Sequence, residues 1–416
     1  MKNKEEIKKK EEIKKKEEAK NKEEAKNKQN TKNKEGTKDI SSTKKDKNTI
    51  FRQMVFQTIG HEKRQKYMIP VFTILLSLIV GALAIAFLKK NPFYAYYNLL
   101  QGSGLAPKAS YAGHKGMITD FMSFLNALTP MLFASLAVLV ALKAGLFNIG
   151  VSGQMLAAGF VTTVLIGYSA LPAAAAKPMV ILTGFAVGAL VGALVGFLKH
   201  KFNINEVVST IMLNYIIQYI VSFFINTFYV DPVSRQSKSI GAAGRLTLTD
   251  VVIGDYKMDL PLGILAAAAG IAVTAFILNK TTLGFEIKAV GSSTRAAEYA
   301  GIRVGRTRVA AMMLSGGFAG LAGVTYYLGY FASIQPRVLA STGFDAIAVA
   351  LLGNSSPVGI LFSSFLITVI SKGSTYMSSA SGVQAEIASA ITGVILLFSA
   401  CGAFVKYKVD RWKEER

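Results

Sequence analysis

Residues 206–228 read EVVSTIMLNYIIQYIVSFFINTF. Glu206, Thr210, Asn214, Gln218, Ser222 and Asn226 fall at every fourth position, and most of the residues between them are apolar. Residues four apart lie nearly above one another on an α-helix. About twenty helical residues rise ~30 Å, the depth of a bilayer's hydrocarbon core. The stretch therefore predicts a membrane-crossing helix with a polar ladder. Lipid penalises such a ladder, so it is expected to face protein or water. It reads either as the wall of a solute pathway or as a set of helix-to-helix hydrogen bonds. The ladder drifts ~40° per step, so only its middle rungs need share one wall.

The rest of the chain agrees with a membrane setting. Of 416 residues, 51% are hydrophobic, gathered in long runs nearly free of charge that a soluble domain would not need. Cys401 is the single cysteine, so no intrachain disulfide is possible and cysteine pairing does not report the compartment. His61, His114 and His200 are far apart and show no metal-ligand spacing. The net charge of +22 is unevenly spread. Residues 1–50 hold 18 lysines against 11 acidic residues, and most other basic residues flank apolar spans, where they act as topology signals. Nucleic acid is therefore not an expected partner; the bilayer is.

Residues 1–50 form a separate charged, low-complexity tail. Residues 4–27 repeat a hexad, KEEIKK twice and then KEEAKN twice. A period of six does not match a coiled-coil heptad, so Ile7, Ile13, Ala19 and Ala25 form no stripe. Glu5–Lys9 and Glu12–Lys16 pairs suit a solvated helix. The Lys, Asn, Thr and Ser composition of 28–48 reads as disorder. A polybasic tether to anionic lipid or a partner is the functional alternative to a merely solvated tail.

Hydropathy and charge place a transmembrane domain at 67–405 with about ten segments, an all-α polytopic membrane protein. They are expected at 67–88, 121–141, 151–168, 178–198, 206–228, 260–278, 309–330, 344–352, 358–374 and 385–404. The positive tail before the first span and the basic tail at 406–416 set both termini in the cytoplasm. Residues 91–119 and 231–259 are then outside loops. Tyr94, Tyr96 and Tyr97 look like an interfacial belt, and Tyr326, Tyr327, Tyr330 and Phe331 a second one. Gly184, Gly188, Gly192 and Gly196 recur at a spacing suited to close helix packing. Residues 344–352 span half a membrane and are broken by the GNSSP run at 353–357. A second break, with Asn148, Gly150, Ser152 and Gln154, precedes the third span. Short, Gly/Pro-interrupted segments point to a site built on broken helices, so the two breaks read as corresponding parts of two internal halves. Asn148, Gln154 and Asn354 join Thr210, Asn214, Gln218, Ser222 and Asn226 as candidate pathway residues. Tyr215, Tyr219, Phe223 and Phe224 either stack a solute or face lipid.

Several activities are argued down. No Gly-x-x-x-x-Gly-Lys-[Ser/Thr] loop is present to cradle ATP phosphates, and no residue set is arranged for catalysis. Carboxylates that would relay protons or sodium are nearly absent from the spans; Glu206, Asp345 and Glu386 stand at their ends. Energy must come from elsewhere, or the chain is a passive channel. The loop at 280–308, with six basic and two acidic residues, offers a coupling element. Ser292 or Ser293 is a fitting N-cap and Gly301 a fitting C-terminal glycine for a helix of about two turns. Such a helix would dock in a groove of a cytoplasmic partner.

The runs at 145–154 (GLFNIGVSGQ), 205–215 (NEVVSTIMLNY) and 289–302 (AVGSSTRAAEYAGI) carry a resemblance. They resemble permease subunits of ABC importers, in the branch of ribose-type, branched-chain amino acid and nucleoside permeases. The likeness covers about 67–405 and is closest to the longer permease of bacterial nucleoside systems. Such relatives commonly have Glu where this chain has Ser152, which leaves a polar turn but removes a charge. The resemblance implies a multi-pass protein of the bacterial plasma membrane whose pathway carries a nucleoside or simple sugar. It implies a second, shorter homologous permease, two cytoplasmic ATPases gripping the 292–301 helix, and an extracellular binding lipoprotein that delivers the solute. Gly291, Ser292, Arg295, Ala296, Glu298 and Gly301 are then the coupling residues. ATP would be held and hydrolysed by the partner, with no cofactor on this chain. Apart from the resemblance, a stand-alone carrier or channel for small polar solutes, and a membrane scaffold with a recruiting tail, remain open.

Overall fold

The computed structural model describes residues 62–400 and residue 411. The chain divides into two units, Pro70–Phe404 and Met1–Ile69 with Val405–Arg416. The helical bundle is the first of these. The hexad repeat and the two charged tails lie outside the described residues, Arg411 apart.

Helix α1 (Glu62–Phe87) is followed at once by α2 (Pro92–Gly102), bent back by 114°. Asn91 caps α2, its side chain accepting from the backbone of Phe93 and Tyr94, and Pro92 takes the first helical position. This corrects the loop expected from residue 91 onward. Tyr96 is also no belt residue: its hydroxyl donates to the Leu78 carbonyl at 2.6 Å and pins the bend. Tyr94 and Tyr97 remain exposed.

Helix α3 (Met117–Lys143) is the central post. Every residue from Leu128 to Ala141 is buried, because four later helices pack around it. A helix apolar on all sides belongs in such a place. Of these neighbours, α7 is Gly263–Lys280, α10 Val304–Thr325, α11 Thr342–Leu352 and α12 Pro357–Ser381. The chain then forms α4 (Val151–Thr162), α5 (Ala173–Phe202) and α6 (Glu206–Phe224). Helices α4, α6 and α10 each end in a turn of wider, π-helical winding: Thr163–Gly167, Ile225–Tyr229 and Tyr326–Phe331. Helix α13 (Ala385–Ala400) closes the bundle.

The glycine periodicity of α5 is used against α10. A methyl on Gly188 would overlap the Gly316 carbonyl, one on Gly192 the Met312 carbonyl, and one on Gly320 the Gly184 carbonyl. The two helices touch backbone to backbone, which only glycine permits.

The loop expected at 231–259 contains a two-stranded antiparallel hairpin, β1 (Thr247–Ile253) and β2 (Tyr256–Pro261), so the fold is mostly rather than wholly helical. The hairpin rests on the start of α3, where the Lys257 N–H donates to the His114 carbonyl at 2.9 Å. The segment at 280–308 is not one loop with one helix but two helices, α8 (Thr282–Ser292) and α9 (Thr294–Tyr299).

Among the described residues, six helices are long and apolar enough to cross a membrane, or seven if α1 and α2 make one span. Residues 151–167, 342–352 and 385–399 form shorter apolar helices. The chain is thus a polytopic helical membrane protein with short and broken segments.

Candidate functional site

The polar ladder of α6 divides into two kinds of residue. Thr210 is fully buried and returns its hydroxyl to the Glu206 carbonyl at 2.8 Å. Asn214, 3% exposed, accepts from the Gly153 N–H at 2.9 Å and donates to the Ile149 carbonyl at 3.1 Å. Both ends of its amide thus hold the entry of α4. Gln218 donates to the Arg337 carbonyl at 2.6 Å, and Ser222 accepts from the Arg337 N–H at 2.8 Å. Glu206 pairs with Lys199 at 3.0 Å. Asn226 is exposed, among the exposed rings of Tyr219, Phe223, Phe224 and Phe228. From Asn214 to Ser222, then, the rungs stitch helix to neighbouring backbone.

A second polar centre forms where α3 passes into α4. Asn148, 1% exposed, donates to Gln154 Oε1 at 3.0 Å and to Ser315 Oγ at 2.9 Å. Its own Oδ1 accepts from the Gly150 N–H at 3.0 Å, and Ser315 donates onward to the Ala137 carbonyl at 2.7 Å. One side chain thereby joins α3, α4 and α10. Ser152 is fully buried and donates to the Ala340 carbonyl at 2.8 Å. Gly343 at the start of α11 lies against it, so the first turns of the two short helices α4 and α11 meet inside the bundle. Asn354 is exposed in the turn between α11 and α12, in a left-handed conformation with φ +51°.

A further space lies elsewhere. A cavity of about 500 Å³ is bounded by the end of α2, by α3, by the wide turn after α10, by the start of α11 and by α12. None of the eight candidate pathway residues lines it. Its polar groups are Lys108, Asp120, Ser123, Ser341, Thr342, Thr368, Ser371, Lys372, Thr375 and Ser379, and its rings Tyr326, Tyr330, Phe331 and Tyr376. Lys108 pairs with Asp120 at 2.7 Å and lies 4.6 Å over the Tyr376 ring. Lys372 donates to Tyr330 Oη at 2.9 Å. Tyr326, Tyr330 and Phe331, expected in an outer belt, border this space; Tyr327 is buried, whereas Phe331 is 52% exposed. Tyr326 and Phe331, with ring centroids 4.8 Å apart, also line a smaller space of about 110 Å³ with Gln236 and Ser333. Sequence reading passed over Lys372, although a lone lysine within an apolar span is the signal that marks such a place.

The segment at 292–301 holds a short helix with the caps expected at Ser293 and Gly301. Ser293 accepts from the Ala296 N–H at 3.3 Å. At the other end the Ile302 N–H reaches the Ala297 carbonyl and the Gly301 N–H the Glu298 carbonyl, with Gly301 at φ +82°, a Schellman arrangement. Ala297 is buried with Val290 and Val304, which fixes the inner face of α9. Arg295, Ala296 and Glu298 point outward, and Tyr299 is 94% exposed. Gly291 and Ser292 precede the helix, Gly291 seated on the turn at the end of α3. Arg308 donates to Thr294 and Thr307 to Glu286, tying α8 and α9 to α10.

A bundle of membrane-spanning helices with meeting half-helices, an internal polar cavity and a capped surface helix is the architecture of a transport subunit. Residues 121–400 match the family described as the branched-chain amino acid transport system permease component, and the chain belongs to that family. It is 32% identical over 361 residues to the nucleoside ABC transporter permease protein NupB of Lactococcus lactis subsp. cremoris, covering 85% of this chain and 96% of that one. It is 33% identical to the guanosine ABC transporter permease protein NupP of Bacillus subtilis, covering 84% and 97%. It is 30% identical to the glucose ABC transporter permease protein TsgB13 of Haloferax volcanii, covering 82% and 90%. No solved structure matches the chain. The chain is therefore a permease subunit of an ABC importer, a transport component and not an enzyme.

Proposed function

We propose that this chain forms one half of the path by which a bacterial plasma-membrane importer takes up a nucleoside or simple sugar. The observation that carries the solute class is the likeness, over nearly their whole lengths, to permeases named for nucleosides, guanosine and glucose. Both termini lie in the cytoplasm and the short helices count among about ten membrane segments. A second homologous permease completes the path, an extracellular lipoprotein delivers the solute, and a separate ATPase binds and hydrolyses ATP.

In this reading α9 is the docking element, with Arg295, Ala296 and Glu298 against the ATPase, Ser292 just ahead of it, and the caps at Ser293 and Gly301 holding its two turns. A six-residue helix is not stable alone; its caps and the Val290–Ala297–Val304 contact supply what its length does not. Force applied to α9 reaches α3 through the seat of Gly291, and three residues beyond that seat stands Asn148 with its links to α4 and α10. Thr210, Asn214, Gln218 and Ser222 hold α6 to the moving parts, Asn226 faces the second permease, and Gln154 and Asn354 sit at the two breaks that flex.

The test is co-purification. A C-terminal tag, extraction in mild detergent and mass spectrometry are expected to return a Walker-motif ATPase and a second, shorter permease. A single chain at every detergent strength would overturn the assembly. Competition of radiolabelled guanosine uptake by unlabelled glucose then separates the two solute classes.

A further inference from the structure

We propose that the cavity among α2, α3, α11 and α12 is a solute-holding site within one permease chain, selective for a planar heteroaromatic ring bearing a carbonyl acceptor. This rests on the permease reading and deepens it: the chemistry is that of a nucleobase rather than of a sugar. The cavity, about 500 Å³, is of the size in which small polar molecules are held.

Its electrostatics favour an acceptor. Lys372 lies in α12 near the end of the apolar run at 358–374, on the wall of the cavity. Among the described residues no carboxylate lies within ion-pair distance of it, whereas the cavity's other amine, Lys108, is neutralised by Asp120 at 2.7 Å. The Lys372 amine donates to Tyr330 Oη and lies 5.0 Å from the centre of that ring, which leaves further N–H donors for a ligand. The first turn of α11, the positive end of that helix, opens on the same space through Ser341 and Thr342. Independently, Thr368 lines the cavity at 3% exposure with its hydroxyl lacking any protein partner. A buried hydroxyl left so is costly unless a ligand or water meets it.

The aromatic wall supplies the planar preference. Phe331 stands 4.8 Å from Tyr326 and 4.7 Å from Tyr330, so three rings enclose one side. A flat base stacks on such faces whatever its sequence of substituents. The lining hydroxyls both donate and accept, so the preference for a base over a sugar is argued from the aromatic wall. A phosphate would need more cations than the single free amine.

The experiment uses the purified complex in nanodiscs, with Cys401→Ser to remove the native thiol and Thr375→Cys as reporter. A charged thiol reagent is expected to label the reporter, and guanosine at about four times its Kd to slow labelling about fivefold. Ribose at the same concentration is expected to give no protection, and Lys372→Met to abolish protection by guanosine. Equilibrium dialysis of radiolabelled guanosine against the unsubstituted complex needs no variant and is expected to show binding that ribose does not displace. An unreactive reporter, protection by ribose or by guanosine monophosphate but not by guanosine, or no guanosine binding at millimolar concentration would each overturn the proposal. Recovery of the ATPase in the same preparation reports separately on the importer reading.

Discussion

Gly291 and Gly145 touch through their backbones: a methyl on Gly291 would overlap the Lys143 carbonyl and stand 2.9 Å from the Gly145 nitrogen. Gly145 itself has φ +70°, a conformation that favours glycine. The end of α8 is thus seated directly on the turn that leaves α3. Gly291→Val is expected to lift that seat. Solute moved per ATP should fall about tenfold, equivalent to ~1.4 kcal/mol of lost coupling, while the complex still assembles. Uptake and ATP hydrolysis measured together in proteoliposomes check this.

The Asn148 junction is expected to behave as one unit. Asn148→Ala removes the partner of Gln154 and of Ser315 in a fully enclosed place, at a cost of about 2–4 kcal/mol. A cycle with Ser315→Ala should show a coupling of about 1 kcal/mol, read from thermal unfolding in detergent. Strict additivity would dissolve the junction into separate contacts.

Ser152→Glu, which introduces the residue that the resemblance leads one to expect here, is expected to destabilise this chain. The carboxylate would enter a fully buried place facing the Ala340 carbonyl, acceptor against acceptor, with Gly343 in contact. An unpaired buried charge of this kind costs on the order of 3 kcal/mol or more. Melting temperature in nanodiscs decides, and an unchanged value would mean that the helices part to admit a partner.

Arg295 and Glu298 stand on the outer face of α9, where substitution does not disturb packing. Replacing both by alanine should leave the melting temperature within about 1 °C. Recovery of the ATPase on a tagged permease should fall about tenfold or more. Equal recovery would remove α9 as the docking element.

Gly192→Ala is expected to be as harmful as a larger residue, since even a methyl meets the Met312 carbonyl. Overpacking of this kind costs about 1–3 kcal/mol, or several degrees in Tm. Gly393 in α13, exposed and with open space around it, is the control.

What could be read from the sequence was whatever is local. The rungs of α6 recur at helical spacing, the glycines of α5 likewise, and the caps of α9 sit beside the helix they close. Asn91-Pro92 was an equally local start signal for α2, obscured by three tyrosines that suggested an interface. The cavity was not local. Lys108, Asp120, Tyr326, Tyr330 and Lys372 meet only because α2 folds back and α12 runs beside α3. The wide turn after α10 rotates its rings by an amount that no 3.6-residue period anticipates. The polar ladder shows the converse: its period was plain, but the same period serves a lining and a seam, and only position tells which backbone each rung meets.

The glycine contact between α5 and α10 has a mechanical consequence. Two helices interlocked main chain to main chain at successive glycines have little to repack there, so neither slides or rolls without losing those contacts. They act as a keel. Any alternation between inward and outward access is then expected to take place around that keel, by movement of the helices packed about it.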